Sequence, residues 1–156
     1  MADLSPIEMK MLAILQVEGD ISNVELAERV GMSPSPCLRK VKALREAGYI
    51  RNVVALIDRR KLGFEIMAYV EVKVPQVAHE RIVEAFREAV LREPAIIECY
   101  ITSGEFDFIL KVLVRGIEDY AAFVQHGLLR LPGVQDTRST FVLEAIKEST
   151  ALPLER

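Results

Sequence analysis

The chain has 156 residues, of which 51% are hydrophobic and 28% charged, and its formal net charge is −3. That balance is typical of a soluble protein that builds its own core, and it excludes a disordered chain. No apolar run approaches the roughly 18–20 residues that cross a bilayer. The first ten residues lack the basic and apolar regions of a signal peptide, so we expect a cytoplasmic protein.

Cysteine and histidine are too sparse in this sequence for a metal site. Cys37 and Cys99 lie far apart in unrelated patterns, which favours free thiols in a reducing compartment over a disulfide framework. His79 and His126 are isolated from each other and from both cysteines. We therefore expect no metal and no cofactor, because zinc requires about four clustered ligands.

Positive charge is concentrated in one segment. Residues 33–61 carry eight Lys or Arg against two Asp or Glu, whereas the segments on either side are acidic. A solvated helix face could produce such a run, but the same concentration is also typical of a nucleic-acid contact.

The first two predicted helices begin at serine caps. "LSPIEMKMLAILQ" places Ser5 at the N-cap, and Glu8 completes a capping box with it. "ISNVELAERVGM" repeats the arrangement, with Ser22 at the cap and Glu25 closing the box, and Gly31 ends this short helix.

A third helix is predicted to begin at Ser33, which is its N-cap and immediately precedes a Pro-Ser-Pro sequence. Pro34 and Pro36 fall in the first turn, where a missing N–H removes a donor that has no partner inside the helix. The helical spacing predicts an inward apolar stripe of Cys37, Leu38, Val41 and Leu44. It also predicts an outer face that consists of Ser35, Arg39, Lys42 and Glu46.

Three helices with a glycine turn and a basic outer face predict a helix-turn-helix over residues 1–52, with "YIRNVVALI" as a wing strand. In such a module we expect base-edge contacts from Ser35, Pro36 and Arg39, and phosphate contacts from Lys40, Lys42 and Arg51. The alternative is a helical protein–protein module with a solvated basic face.

After a connecting strand and linker at 53–63, residues 64–156 show the order strand–helix–strand–strand–helix–strand. This order predicts a ferredoxin-like domain with both helices on one face of an antiparallel sheet, which makes the chain α+β. The strands carry apolar residues at both alternating sets of positions, among them Ile109 and Leu113 in one set and Leu110, Val112 and Val114 in the other. We therefore expect a second subunit to cover the open face, with twofold symmetry.

The hairpin "TSGEFDF" is the one polar cluster that packing leaves unexplained. Asp107 lies between Phe106 and Phe108 at a strand position, where carboxylates are uncommon. It could accept hydrogen bonds from backbone amides of its own hairpin, or it could bind a ligand. No nucleophile, paired acid and base or glycine-rich phosphate loop stands out, so we expect no enzyme activity.

The stretches "ISNVELAERVGMSPSPCLRKVKALREAGYI", "TSGEFDFILKV" and "LLRLPGVQDTRSTFVLEAIK" resemble the Lrp/AsnC (feast/famine) transcriptional regulators, and look closest to their leucine-responsive branch. The resemblance covers nearly the whole chain. It implies a bacterial or archaeal, nucleoid-associated regulator that binds double-stranded DNA at a roughly palindromic operator. It also implies a winged helix-turn-helix and a ferredoxin-like effector (RAM) domain.

The resemblance further implies homodimers, formed by sheet-to-sheet packing, that assemble into tetramers or octamers. It implies a small effector, usually an amino acid, that binds near the "SGEFD" hairpin. The effector-binding candidates that follow from it are Ser103, Gly104, Glu105, Phe106, Asp107 and Thr140. Family members more often have Asp and Tyr where this chain has Glu105 and Phe106.

Overall fold

The computed structural model describes residues 4–75 and 80–154. The described residues up to Leu56 form one compact unit together with those from Lys147 onward, and the described residues of Ile57–Ile146 form the other. The limits predicted from the sequence, 1–52, 53–63 and 64–156, remain a prediction about separately folding domains.

The first unit contains three helices: α1 (Pro6–Leu15), α2 (Asn23–Val30) and α3 (Pro34–Glu46). One apolar cluster holds them together, and it consists of Met11, Leu26, Ala27, Val30, Cys37, Val41 and Leu44. Every member of this cluster is at most 9% exposed. Three of the four residues that the helical spacing placed on the inward face of α3, Cys37, Val41 and Leu44, therefore lie in the core, and Leu38 is the exception.

Serine caps begin the first two helices as predicted. In α1 the Glu8 amide donates to Ser5 Oγ at 3.3 Å, and the Ser5 amide donates to the Glu8 carboxylate at 2.9 Å. In α2 the Glu25 amide donates to Ser22 Oγ at 3.2 Å, but the Glu25 carboxylate accepts from Arg29 instead of the Ser22 amide, so the box predicted there is not formed. Gly31 ends α2 with φ 71°, a left-handed conformation that glycine adopts without a Cβ clash.

The wing strand predicted at "YIRNVVALI" is wrong for the single chain. Residues 50–57 adopt no regular secondary structure, and Val53, Val54, Leu56 and Ile57 are exposed. A β-strand requires a neighbouring strand to share its backbone hydrogen bonds. No other described segment of the chain pairs with these residues.

The second unit alternates strands and helices in the predicted order. Its elements are β1 (Ile66–Lys73), α4 (Glu80–Arg92), β2 (Ile96–Ile101), β3 (Phe108–Val114), α5 (Ile117–His126), a 3-10 turn (Leu128–Arg130) and β4 (Asp136–Phe141). The antiparallel sheet has the order β2-β3-β1-β4, which confirms the ferredoxin-like prediction. The last strand ends at Phe141, earlier than predicted, and His79 lies outside the described residues.

One face of the sheet forms the core of this unit. Val70 and Val72 of β1 and Leu110 of β3 are fully buried. Both helices pack on this face, and their side chains in the cluster are Phe86, Val90, Tyr120 and Phe123. The strand registers place the alternate residues of these strands, such as Tyr69 and Glu71 of β1 and Ile109 and Lys111 of β3, on the opposite, open face.

The open face is not uniformly apolar. Ile109 and Leu113 lie there as expected, but two ion pairs also cross it. Lys111 Nζ is 3.1 Å from Glu98 Oε1, and Arg138 Nε is 2.7 Å from Glu71 Oε2. A partner that covers this face must therefore accommodate charged pairs as well as apolar side chains.

Candidate DNA-binding surface and effector hairpin

The start of α3 is stiffened by its two prolines. Pro34 and Pro36 occupy the first and third helical positions, and Asn23 Nδ2 at the start of α2 donates to the Pro34 carbonyl at 2.8 Å. That hydrogen bond joins the first turns of α2 and α3. It ties the end of the loop between the two helices, where α3 begins, to the start of α2.

Ser33 stands at the N-cap position of α3, but its side chain makes no capping hydrogen bond, contrary to the prediction. In α1 and α2 the serine cap accepts from the amide of the third helical residue. In α3 that residue is Pro36, which has no N–H to donate. The proline that stiffens the helix therefore removes the donor that its cap would have bound.

The predicted DNA-reading residues lie on the side of α3 that faces away from the core. Ser35, Arg39 and Lys42 are exposed, and Pro36 is partly exposed. Lys42 Nζ is 3.7 Å from the Glu46 carboxylate, and both side chains are more than two-thirds exposed, so this pair is loose. The surface presents hydroxyl, guanidinium and ammonium donors side by side.

Lys40 differs from the other cations of α3 because it has a close partner on α1. Its ammonium is 2.8 Å from Glu8 Oε1, and Glu8 Oε2 accepts from the Ser5 hydroxyl at 2.6 Å. The hydrogen bond from Lys40, reinforced by those from Ser5, lowers the pKa of Glu8 to about 2. A phosphate contact by Lys40 would have to compete with Glu8.

Leu38 is the exception to the predicted inward stripe of α3. Its side chain is 58% exposed, whereas Cys37, Val41 and Leu44 are buried. A helix advances about 100° per residue, so position 38 lies about a quarter turn away from Cys37. The spacing of apolar residues in the sequence did not distinguish a buried position from one at the exposed edge of the buried face.

Arg51 follows α3 and is exposed. With Arg45, Ile50, Asn52 and Val53 it lines a shallow surface cavity of about 340 Å³. Arg45 lies in the last turn of α3, so two guanidinium groups border one depression. Only Arg51 was predicted from the sequence, because Arg45 lies neither in the predicted apolar stripe nor on the predicted outer face of α3.

The effector hairpin joins β2 to β3, and Ile101 pairs with Phe108 at its base. Ser103, Gly104 and Glu105 lie exposed at its tip. Thr102 closes the hairpin from one side, because its hydroxyl donates to the Phe106 carbonyl at 2.6 Å and its amide donates to the Asp107 carbonyl at 2.9 Å.

Asp107 directly precedes β3 and connects the hairpin to β1. Its Oδ2 accepts from the Val74 amide at 2.9 Å, and its own amide donates to the Val72 carbonyl at 3.0 Å. The sequence predicted that a backbone amide bound to the Asp107 carboxylate would come from its own hairpin. The donor to the carboxylate instead lies 33 positions earlier in the chain, just beyond the end of β1.

The six effector candidates do not all meet within one chain. Phe106 is only 7% exposed, and the Arg138 guanidinium lies 4.9 Å from its ring centroid. Thr140 on β4 pairs with Tyr69, which in turn pairs with Lys111 on β3. That register places Thr140 two strands away from the hairpin, more than about 10 Å from Asp107.

Two residues that the sequence reasoning did not name contribute to this region. Arg138 contacts the Phe106 ring and donates to Glu71, so it connects the hairpin to β1 and β4. The Arg138 hydrogen bond lowers the pKa of Glu71 below its usual value. Opposite charges on two strands do not predict an ion pair from the sequence until the register of the strands is known.

Metal-binding and membrane-spanning features are absent from the part of the chain that the structure describes. Residues 4–75 and 80–154 contain no group of three or more His, Cys, Asp or Glu side chains that could hold a metal ion. None of the helices described above is both long and apolar enough to cross a membrane. Cys37 is buried, Cys99 is exposed, and both are free thiols.

Comparison with known families assigns both halves of the chain. Residues 4–51 match a winged helix-turn-helix DNA-binding family. Residues 67–152 match the Lrp/AsnC ligand binding domain. The leucine-responsive regulatory protein of Escherichia coli (strain K12) is 40% identical over 153 residues, which cover 98% of this chain and 93% of that protein.

Solved structures give the same result. A transcriptional regulator from Neisseria meningitidis, crystallised as a complex with L-methionine, has a TM-score of 0.93 at 37% identity, with 97% of each chain covered. An AsnC family transcriptional regulator from Agrobacterium tumefaciens has a TM-score of 0.91 at 32% identity, again with 97% of each chain covered. With a family match over more than half of its length and relatives similar from end to end, the chain belongs to the Lrp/AsnC family of DNA-binding transcriptional regulators with a small-ligand-binding domain, and not to a family of enzymes.

Proposed function

We propose that this regulator reads its operator through the outer face of α3 in the bacterial cytoplasm, as part of the nucleoid. Ser35, Pro36 and Arg39 contact base edges, because they lie in the first half of the helix, which a helix-turn-helix inserts into the major groove. Lys40, Lys42 and Arg51 contact phosphates. The observation that carries this proposal is that Arg39 and Lys42 are exposed on the one basic segment of an acidic chain.

In this proposal, a DNA phosphate competes with the Glu8 carboxylate for the Lys40 ammonium. Its ammonium is held by Glu8, so a phosphate either displaces that carboxylate or binds while Lys40 keeps both partners. In the unbound protein the Glu8–Lys40 pair joins α1 to α3. We propose that its first role is to hold α3 in the orientation that presents Arg39 and Lys42.

A matched pair of arginine variants tests the DNA contact. Arg39→Ala and Arg92→Ala each remove one exposed arginine, but Arg92 lies on α4 in the other unit and pairs with Glu88. With duplexes selected from a random pool by the wild-type protein, Arg39→Ala should weaken binding by about 1–3 kcal/mol and relax base preference. Arg92→Ala should bind like the wild type, and equal behaviour of the two variants would contradict the assignment.

We also propose that the effector is an amino acid, bound at the β2–β3 hairpin. The Neisseria relative solved with L-methionine supports this ligand class. An amino acid carries one ammonium and one carboxylate, and the candidates offer both complements. Glu105 and Asp107 provide acceptors, Ser103 and the Gly104 amide provide donors, and Phe106 and Thr140 are the remaining candidates.

The separation of Thr140 from the hairpin restricts how one site could include all six residues. Within a single chain the sheet register keeps Thr140 two strands away from Asp107. A site that uses Thr140 therefore requires a second copy to bring it close. We propose such a site between copies, in an assembly of homodimers that forms a tetramer or an octamer.

A thermal-shift screen of the twenty amino acids tests the ligand class. A ligand that binds only the native state raises the melting temperature, and the stabilisation grows with the logarithm of ligand concentration once that exceeds the dissociation constant. We expect one or a few amino acids to raise the melting temperature in this concentration-dependent manner. If none of the twenty shifts the transition at millimolar concentration, the amino-acid proposal is wrong, while DNA binding is unaffected by that result.

The effector acts, in this proposal, by favouring one assembly over another. A ligand shifts an equilibrium only as far as its affinities for the two states differ, and coupling of about 1–3 kcal/mol is typical. A site shared between copies gives such a difference directly, because only the assembled form contains every contact. The spacing of the DNA-reading helices would change with the assembly.

A further inference from the structure

The exposed leucine of α3 carries an inference that rests on the proposed function and deepens it. We propose that Leu38 is a further specificity-determining residue, which packs against the C5 methyl group of a thymine in the major groove. Leu38 is 58% exposed, whereas the large apolar residues that follow it in α3, Val41 and Leu44, are buried. An exposed leucine at that position makes no contribution to the core cluster of the unit.

The position of Leu38 on the helix places it among hydrogen-bond donors. It follows Ser35 by three residues, precedes Lys42 by four and precedes Arg45 by seven, so all four share one flank of α3. Ser35 and Lys42 are themselves exposed, and Arg45 borders the cavity that Arg51 also lines. Leu38 is therefore an apolar side chain within a hydroxyl-bearing and cationic surface.

The opposite flank of the helix is already occupied. Lys40 lies about half a turn from Leu38, and its ammonium is bound by Glu8 of α1. The exposed side chain of Leu38 therefore lies on the flank of α3 that α1 does not cover. A DNA major groove docked on this flank would contact Ser35, Leu38 and Lys42 together.

The major groove of DNA matches this mixture of charge and apolar surface. Its walls are phosphates, which match Lys42 and Arg45, and its floor carries one apolar group, the thymine methyl, which marks T·A pairs. A second copy of this chain docked through the same surface would bring cation against cation. Charge complementarity therefore favours DNA as the occupant.

Deoxyuridine provides the probe, because it differs from thymidine only by that methyl group. Duplexes are selected from a random pool by the wild-type protein, and each thymine is then replaced by deoxyuridine, one position at a time. For the wild type we expect at least one replacement to weaken binding about fourfold, the effect of leaving one methyl group unburied. In Leu38→Ala the same replacement should have no effect.

Two further variants make the result decisive. Leu91→Ala removes a leucine that is 86% exposed on α4, and it should keep the wild-type ratio of affinities for the two duplexes. Leu38→Met keeps an apolar side chain and should retain part of the ratio, which decides the matter if Leu38→Ala binds too weakly to measure. Melting temperatures confirm that each variant is folded.

The outcomes separate this inference from the proposed function. If Leu38→Ala, or Leu38→Met in its place, keeps the full wild-type sensitivity to deoxyuridine, Leu38 does not read thymine, although the protein still binds DNA. If that sensitivity is kept and sedimentation shows a changed mass for Leu38→Ala, the residue faces another protein copy. If the wild type selects no duplex at all, it is the proposed function that fails.

Discussion

Asp107 is held at the base of the effector hairpin by hydrogen bonds to the end of β1. The Val74 amide donates to its carboxylate and its own amide donates to the Val72 carbonyl. The carboxylate can therefore shape the hairpin without touching a ligand. Two substitutions distinguish these roles, because asparagine keeps an oxygen acceptor and loses the charge, whereas alanine loses both.

We expect Asp107→Ala to lower the free energy of unfolding by about 1–3 kcal/mol, because the Val74 amide loses its partner. Asp107→Asn should unfold close to the wild type. Calorimetry with the amino acid that most stabilises the wild type then measures binding, and a charge contact predicts weaker binding in both variants. Wild-type affinity in Asp107→Asn would leave Asp107 with the structural role alone.

The lowered pKa of Glu8 makes the free energy of unfolding depend on pH. The hydrogen bond from Lys40, together with those from Ser5, lowers the pKa of Glu8 from 4.5 to about 2 in the folded chain. A lowered pKa means that the unfolded chain binds the proton more readily, so the contribution of Glu8 to stability is complete above pH 4.5 and is lost as the pH falls towards 2.

The difference in unfolding free energy between wild type and Glu8→Gln isolates this effect, since the other acidic groups contribute to both proteins. We expect the wild type to be the more stable at neutral pH and the difference to shrink progressively between pH 4.5 and pH 2. Urea titrations at several pH values measure it. A difference that stays constant over that range would contradict the pairing with Lys40.

At the scale of the helix, the first turn of α3 predicts an unusual response to substitution. Ser33 caps nothing because Pro36 has no amide hydrogen, so Ser33→Ala should change the free energy of unfolding by no more than a few tenths of a kcal/mol. Ser22→Ala is the matched control, and it should cost about 1 kcal/mol because Ser22 binds the Glu25 amide.

The same substitution should become costly once the donor is restored. In a Pro36→Ala background the third helical residue regains its N–H, and Ser33→Ala should then cost about 1 kcal/mol. Chemical unfolding of the four proteins in this cycle measures the coupling. An equal cost of Ser33→Ala in both backgrounds would show that the proline does not control the cap.

The sequence predicted the helical elements well where the relevant interactions are local. The caps at Ser5 and Ser22 and the end at Gly31 depend on residues within four positions, and all three are confirmed. The cap predicted at Ser33 does not form, because a cap also needs an amide donor and Pro36 has none. The prediction that Leu38 faces the core was wrong, because an apolar residue at helical spacing does not show where the buried stripe ends.

The strands show where sequence reasoning needed information from distant residues. The order of the sheet followed from the alternation of strands and helices, but the partner of Asp107 depends on how far β1 extends beside the hairpin. The prediction of a wing strand at residues 50–57 was wrong for a related reason, because a β-strand forms only beside another strand that shares its hydrogen bonds. Thr140 required the register of β4, which no local pattern supplies.

At the scale of the whole molecule, the open face of the sheet predicts self-association. Ile109 lies on this face with Tyr100 beside it on β2, and Tyr100 is 56% exposed. Ile109→Lys places a charge in the proposed interface, and we expect sedimentation equilibrium to show a loss of dimer. Leu91→Lys, on α4, should leave the mass unchanged.

A dimer-deficient variant should also bind its operator more weakly, since two half-sites are no longer read together. Circular dichroism establishes that Ile109→Lys is folded. A folded variant with the mass of the wild type would contradict sheet-to-sheet packing and direct attention to the exposed residues of 50–57 as the interface.

The salt dependence of DNA binding tests the central claim most directly, because it counts the phosphates that the protein neutralises. Two modules that each contact three phosphates predict a slope of about −5 in a plot of log K against log salt concentration. Lys42→Ala removes one cation from each module and should reduce the magnitude of that slope by about 2, while Arg92→Ala should leave it unchanged. A slope near zero, or one that Lys42→Ala does not alter, would contradict the claim that the basic face of α3 lies against DNA.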